Sequence, residues 1–210
     1  MPKPLCSSRR TGGFSLIELM VVIALLSILM AIAVPSLSDM LRNGTISTES
    51  ANLYADLSMA RTESIKRSSA VTVCPSSDGS SCSGSNDWAV GRIIFIDANA
   101  NGQIDTPDLD RNGDSNLTSA DGIADLNGDG SLTLADAVLQ IRAASSRGAT
   151  ISSSLTSSPY VLTYRPTGTS RTGAVTFTLC YSGATSLKQR NVLVNVLGRV
   201  ETQIASTNCT

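Results

Sequence analysis

Residues 12–34 read GGFSLIELMVVIALLSILMAIAV in a chain of 210 residues. Apolar residues continue from Glu18 almost without interruption to Val34, and a short leader with three basic residues precedes them. A carboxylate at the edge of a bilayer-spanning helix is energetically costly, so such a residue usually has a partner and a function. The stretch predicts a membrane-inserted helix with a functional glutamate near its start.

Two simpler interpretations account for less of this segment. A secretory signal peptide ends at an A-x-A-like site, and residues 30–33 (MAIA) have that form, but a glutamate at the start of the apolar core is unusual. A simple membrane anchor needs about 20 apolar residues, and residues 19–34 fall slightly short unless residues 14–17 are included. Neither interpretation explains Glu18.

The same residues resemble the class III signal of type IV pilins and type II secretion pseudopilins. The basic leader, Gly13, Phe14, Glu18 and Pro35 agree with that signal in register. The resemblance implies that a prepilin peptidase cuts between Gly13 and Phe14 and that Phe14 is then N-methylated. It also implies that Glu18 neutralises the terminal amine of a neighbouring subunit during filament assembly.

Beyond the apolar stretch, the pattern predicts one long helix followed by strands. Leu53, Leu57, Ala60 and Ile65 recur at roughly helical spacing, so one helix from residue 14 to about residue 67 would be about 80 Å long. The predicted strands are Val71–Cys74, Arg92–Ile96, Tyr160–Tyr164, Ala174–Cys180, Asn191–Val196 and Arg199–Ile204. This order predicts an α+β fold, in which the long helix packs on an antiparallel sheet.

The chain then divides into three parts. Residues 1–13 are a leader that is cleaved off, residues 14–42 a transmembrane and assembly helix, and residues 43–210 a head with an acidic insertion at 97–136. Within the head, residues 137–144 suit a helix and a strand equally, and residues 145–158 predict a surface connection around one short strand. The Asn43-Gly44 pair is expected to loosen the long helix.

The cysteines predict disulfide bonds. Cys6 lies in the leader, and the other four cysteines form an even set in an exported chain, where disulfides are the rule. Of the three pairings that four cysteines permit, sequence proximity favours Cys74–Cys82, and Cys180–Cys209 would then tie the C-terminal tail to a strand. Zinc is disfavoured, because the chain has no histidine and no C-x-x-C pair.

Downstream motifs narrow the resemblance. Five such motifs follow one another along the chain: Ala60–Arg67, Asp87–Asp97, Leu162–Gly168, Phe177–Cys180 and Leu197–Val200. Behind a pilin signal, this order resembles the FimT/FimU/GspH group of minor pilins and pseudopilins. The resemblance implies a type IV pilin fold, an inner-membrane precursor with a periplasmic head, and later incorporation into a pilus or pseudopilus.

The acidic insertion predicts calcium binding. Nine aspartates and a single basic residue, Arg111, lie between Asp97 and Asp136. Calcium takes about six to eight oxygen ligands, which a loop of about twelve residues supplies from positions 1, 3, 5, 7, 9 and 12. The candidate Ca²⁺ ligands form three frames: Asp97, Asn99, Asn101, Gln103, Asp105 and Asp108; Asp110, Asn112, Asp114 and Asp121; and Asp125, Asn127, Asp129, Ser131, Thr133 and Asp136.

These frames start 13 and 15 residues apart, too close for EF-hand helices between them. Their spacing resembles dockerin-type or thrombospondin type 3 calcium loops. The alternative is a set of Asx-rich turns exposed to water without a metal, since Asn, Asp and Gly also suit such turns. Nine like charges would repel one another without a cation, which favours calcium.

The resemblance implies a structural function: a minor pilin that primes, caps or functionalises a type IV pilus together with other pilins. An enzyme is not expected, because the chain has no G-x-S-x-G elbow, no phosphate loop and no histidine to act as a general base. One alternative is a GspH-type pseudopilin of a type II secretion system.

The other alternative is a minor pilin that binds DNA for natural transformation. DNA-binding relatives carry a C-terminal Gly-Arg-x-Arg motif, and here residues 198–201 read GRVE, so an acid replaces the second arginine. Binding to nucleic acid depends on cations that neutralise phosphates. The candidate DNA contacts are Lys188, Arg190 and Arg199.

Overall fold

The computed structural model describes residues 15–105, 137–146 and 148–209. The chain divides into two compact units, Met1–Met40 and Leu41–Thr210. The elements are the helix α1 (Leu16–Arg67) and the strands β1 (Val71–Pro75), β2 (Arg92–Ile96), β3 (Val138–Arg142), β4 (Ala149–Ser153), β5 (Leu162–Tyr164), β6 (Val175–Tyr181), β7 (Lys188–Val194) and β8 (Val200–Asn208). A 3-10 turn at Trp88–Val90 precedes β2.

Helix α1 is 52 residues long, as the sequence predicted. It continues through Asn43 and Gly44 without a break. Within the second unit it presents Leu53, Leu57 and Ala60 to the interior, where all three are fully buried. Their spacing places them on one face of a helix, which explains how this part of the helix packs on strands.

The C-terminal end of α1 closes with a Schellman-type pair of hydrogen bonds. The Ser69 amide donates to the Ser64 carbonyl at 3.3 Å, and the Ser68 amide donates to the Ile65 carbonyl at 3.2 Å. Ser68 has a φ of 49°, the left-handed conformation that this motif requires. The chain therefore turns sharply from the helix into β1.

The strands form two four-stranded antiparallel sheets, in the orders β3-β2-β1-β5 and β4-β6-β7-β8. The predicted α+β class, a long helix with an antiparallel sheet, is confirmed. The core joins α1 to both sheets and centres on Trp88, whose ring meets Phe177 edge to face with 4.8 Å between the centroids. Both aromatic side chains are fully buried.

The structure defines the secondary structure of two segments that the sequence left open or placed wrongly. Residues 137–144, which suited a helix or a strand, contain β3, which pairs with β2 through Phe95 and Val138. The predicted strand Asn191–Val196 is wrong at its end, because β7 stops at Val194 and a turn follows. That turn closes with a hydrogen bond from the Gly198 amide to the Asn195 carbonyl at 2.8 Å.

Candidate functional site

The first candidate site is the beginning of α1. Ser15 caps the helix, since its Oγ accepts a hydrogen bond from the Glu18 amide at 3.2 Å. Glu18 lies in the first turn, where a carboxylate interacts favourably with the helix dipole. Gly13 and Phe14, the predicted processing site, lie outside the described residues.

Within the first unit, α1 exposes an apolar surface. Leu16, Ile17 and Leu25 expose 78%, 68% and 58% of their surface. In the described part of the chain, α1 is the one helix long and apolar enough to cross a membrane. Such a surface requires either lipid or the helices of other subunits to cover it.

The head contains both predicted disulfides, Cys74–Cys82 and Cys180–Cys209. The second bond ties the residue after β8 to the end of β6, and the Cys209 amide also donates to the Leu187 carbonyl at 2.8 Å. The tail is therefore fixed by a covalent bond and a hydrogen bond.

The Cys74–Cys82 loop contains a carboxylate that the sequence analysis did not single out. The amides of Ser80 and Ser81 each donate to Asp78 Oδ1 at 2.9 Å, and the Ser81 hydroxyl donates to Oδ2 at 2.7 Å. These bonds, with one from the Ser76 hydroxyl, hold the pKa of Asp78 well below its usual range. The carboxylate therefore organises the loop that the disulfide closes.

The described part of the first predicted calcium frame begins with a buried carboxylate. Asp97 is fully buried. The amides of Asn101 and Gly102 donate to its Oδ1 and Oδ2 at 2.9 and 3.0 Å, and the Thr72 hydroxyl donates to Oδ2 at 2.5 Å. The loop thus wraps around the carboxylate that was predicted to be its first ligand.

The next side chains of this frame also form hydrogen bonds within the loop. The Asn99 and Asn101 carboxamides donate to the two oxygens of Asp105, at 3.2 and 2.5 Å. These bonds hold Asn99, Asn101 and Asp105 close together. The Gln103 backbone amide also donates to Asn101 Oδ1 at 2.7 Å. Oxygen donors are therefore concentrated here, as calcium prefers.

Among the described residues, no group of three or more His, Cys, Asp or Glu side chains is arranged to hold a metal ion. The other predicted ligands lie outside the described residues: Asp108, Asp110, Asn112, Asp114, Asp121, Asp125, Asn127, Asp129, Ser131, Thr133 and Asp136. The pairing of Phe95 with Val138 nevertheless brings the two ends of the acidic insertion together.

A buried ion pair joins α1 to the first sheet, and the sequence analysis missed it. Asp56 Oδ2 accepts from Arg92 Nε at 2.7 Å, and Asp56 Oδ1 accepts from Arg142 Nη2 at 2.6 Å. Arg92 and Asp56 are both almost fully buried, whereas Arg142 is 34% exposed. The hydrogen bond to Asp56 raises the pKa of Arg142 further. The sequence does contain a sign of this ion pair, because Asp56 lies three residues after Leu53 and so on the apolar face of α1.

The three predicted DNA contacts lie along β7 and the turn that follows it. Lys188 lies at the start of β7, and Arg199 lies in the turn beyond its end. Six residues of strand separate Lys188 from Val194, or about 20 Å at a rise of about 3.3 Å per residue. Arg190 lies between them and donates to Asn43 Oδ1 on α1 at 3.3 Å.

Comparisons with known proteins agree with the N-terminal signal and the fold. Residues 8–34 match the family model of the prokaryotic N-terminal methylation motif, and residues 49–122 match that of type II transport protein GspH. No curated protein matches the chain. The chain thus combines a methylation-motif segment with a GspH-like head segment.

Among solved structures, the type IV minor pilin FimU of Pseudomonas aeruginosa PAO1 is similar, with 18% identity and a TM-score of 0.50 over 77% of this chain and 93% of that chain. The minor pseudopilin EpsH from the type 2 secretion system of Vibrio cholerae aligns with 11% identity and a TM-score of 0.44, over 76% of this chain and 97% of that chain. At such identities the likeness to FimU concerns the fold. The fold of the chain is therefore similar to that of the minor pilin FimU.

Proposed function

We propose that this protein is a minor pilin that enters a type IV pilus through its N-terminal helix and primes, caps or functionalises the filament. The observation that carries the proposal is the first turn of α1, where Glu18 follows a capping serine at the head of an exposed apolar helix. The match of residues 8–34 to the N-terminal methylation motif supports it.

Assembly would use these residues as follows. Prepilin peptidase cuts after Gly13, and the new terminal amine of Phe14 is methylated. In the apolar filament core an unpaired charge is costly, so the amine of one subunit and the Glu18 carboxylate of its neighbour stabilise each other. The leucines and isoleucines of residues 16–40 then pack against the helices of other subunits and leave the lipid.

The test compares Glu18→Gln with Glu201→Gln, a matched change of an exposed glutamate on β8. In cells that lack the wild-type gene, we expect both variants to be cleaved and methylated, as measured by intact-mass spectrometry. Only Glu18→Gln should be missing from sheared filaments. Normal incorporation of Glu18→Gln would overturn the proposal, and so would a mature protein that keeps residues 1–13.

The GspH-type pseudopilin is the second candidate, because residues 49–122 match the GspH family model. Deletion of the gene separates the two functions. Loss of surface filaments with normal protein secretion supports the pilus, whereas loss of secretion with normal pili supports the pseudopilus. DNA binding is not part of the proposal, because Glu201 replaces the second arginine of the Gly-Arg-x-Arg motif and its charge opposes a phosphate.

We further propose that Ca²⁺ stabilises the head through the acidic insertion. Support comes from the loop that begins at Asp97, in which carboxylate and carboxamide side chains cluster, and from the paired strands that hold the ends of the insertion together. The oxygen-only donor set fits a hard divalent cation. Bound ions would relieve the repulsion among the aspartates and order the segment.

Calorimetry of the full chain in neutral detergent tests this second proposal. Saturable calcium binding should weaken in Asp125→Ala and Asp129→Ala, which alter the third frame, and should persist in Asp87→Ala, a control outside the insertion. The absence of any calcium-dependent heat, or equal loss in Asp87→Ala, would overturn it.

A further inference from the structure

We infer that the head contains a binding site for a phosphate group, in a cleft between the end of α1 and the turn after β5. The cleft has a volume of about 400 Å³. Ser68 and Ser69 line one side, Asn99 lines another, and Arg165 and Arg171 supply two positive charges. This inference rests on the head alone and is independent of the proposed filament function.

The backbone fixes the positions of both arginines. The Arg165 amide donates to the Thr169 carbonyl at 2.8 Å, and the Arg171 amide donates to the Thr163 carbonyl at 2.8 Å. Between them, Tyr164 and Ser170 form a β-bridge. Two guanidinium groups are thus carried by neighbouring positions of a closed turn, which limits the entropy lost when they bind one ligand.

Both guanidinium groups are available to a ligand. Arg165 and Arg171 are exposed, and neither has a carboxylate partner among the described residues. The Arg165 side chain makes a single long hydrogen bond, from Nη1 to the Ser170 carbonyl at 3.4 Å. Two exposed arginines in one cleft that pair with no described carboxylate can both bind an external anion through charge-assisted hydrogen bonds.

The described carboxylates nearest the cleft already have partners. Asp105 accepts from Asn101 and from the lining residue Asn99, at 2.5 and 3.2 Å. Asp97 adjoins the lining residue Ala98, but it is fully buried and its two oxygens accept bonds from Thr72, Asn101 and Gly102. Glu63, near the end of α1, is paired with Lys66 and Arg67. Among the described residues that line the cleft, the charged side chains are those of Arg165 and Arg171.

The chemistry of the lining favours phosphate. A guanidinium group binds a phosphate through two parallel hydrogen bonds, and two such groups match a doubly charged oxyanion. The hydroxyls of Ser68 and Ser69 add neutral donors beside them. The cleft also exceeds the size of a bare ion, so a phosphate ester of a small molecule would fit as well as free phosphate.

Isothermal titration of the full chain in neutral detergent tests the site, with pyrophosphate as the first probe and glucose 1-phosphate as the second. We expect saturable binding of pyrophosphate that weakens about tenfold or more in Arg165→Gln and in Arg171→Gln, because each loses charge-assisted hydrogen bonds. Lys188→Gln, which removes one exposed cation from β7, should change the affinity less than about twofold.

A second measurement keeps the test independent of folding defects. Among the described residues, the Arg171 side chain has no hydrogen-bond partner, so Arg171→Gln should keep the wild-type Tm. Pyrophosphate should raise the Tm of this variant less than that of the wild type. Binding of glucose 1-phosphate as tight as that of pyrophosphate identifies a phosphate ester as the ligand class, and weaker binding identifies free phosphate. No saturable binding, or equal weakening in Lys188→Gln, would overturn the inference.

Discussion

The Thr72 hydroxyl on β1 lies 2.5 Å from Asp97 Oδ2, immediately after β2, and both residues are fully buried. Thr72 Oγ1 is also 2.6 Å from Thr163 Oγ1 on β5. A hydroxyl has one hydrogen to donate, so Thr163 donates to Thr72, and Thr72 donates to the carboxylate. This chain of hydrogen bonds fixes the first residue of the acidic insertion to the centre of a sheet.

Thr72→Val should therefore destabilise the head. The replacement preserves shape but leaves a buried carboxylate oxygen without its hydroxyl donor, which costs about 1–3 kcal/mol. Urea unfolding of the purified protein measures the change. Thr202→Val, at an exposed position on β8, is the matched control and should cost less than about 0.5 kcal/mol. Equal stability of the two variants would show that the hydrogen bond contributes nothing.

Asp56→Asn should be more damaging than any change on the surface of α1. It leaves the fully buried Arg92 without its charge partner, and loss of one member of a buried pair costs about 3–5 kcal/mol. The control is Glu63→Gln on the same helix. Its partners Lys66 and Arg67 keep 69% and 27% of their side-chain surface exposed, so neither is left as a fully buried charge, and the cost should be less than about 1 kcal/mol. Thermal unfolding ranks the two. A smaller effect for Asp56→Asn would contradict the assigned role.

The pH dependence of the Cys74–Cys82 loop follows from Asp78. Because hydrogen bonds led by the one from the Ser80 amide lower its folded-state pKa, the carboxylate adds stability above its unfolded pKa of about 3.9. That contribution is lost as the pH falls through the lower folded pKa. A carbon-13 NMR titration should find the Asp78 pKa below the usual range and raised in Ser81→Ala. An unchanged pKa in that variant would rule out the Ser81 hydroxyl as a cause.

The two disulfides should differ in what they contribute. Cys180 and Cys209 are 29 positions apart, whereas Cys74 and Cys82 are 8 apart. The entropy that a disulfide removes from the unfolded chain grows with loop length. The simple loop model gives a stabilisation of about 3.5 kcal/mol for Cys180–Cys209 and about 2.5 kcal/mol for Cys74–Cys82. The double variant Cys180→Ser with Cys209→Ser should therefore lower the Tm more than Cys74→Ser with Cys82→Ser. The reverse order would indicate that interactions in the folded loop around Asp78 outweigh loop length.

Much of the fold could be predicted because local patterns determine it. The apolar run, the helical spacing around Leu53 and Leu57 and the β-branched segments near Val71 and Ile94 each identify their element without reference to the rest of the chain. The disulfide pairing also followed from sequence proximity and an exported context.

The contacts that the sequence analysis did not predict are those between segments far apart in the chain. Asp56 and Arg92 are 36 positions apart, and no local pattern reveals that they meet. Lys188 and Arg199 are close in sequence but lie apart, because the β7 strand extends between them. The Arg165–Arg171 cleft was missed for the same reason, since its other side comes from the end of α1.

The position of the acidic insertion between β2 and β3 has an evolutionary consequence. Because Phe95 and Val138 are partners in the pairing of β2 with β3, the chain leaves the sheet and returns to it at neighbouring positions. Doubling the length of such a connection costs only about 0.6 kcal/mol in closure entropy. The connection between β2 and β3 can thus be lengthened, shortened or replaced while the strands keep their pairing. Proteins with this fold are therefore free to carry insertions of very different length and sequence at this position.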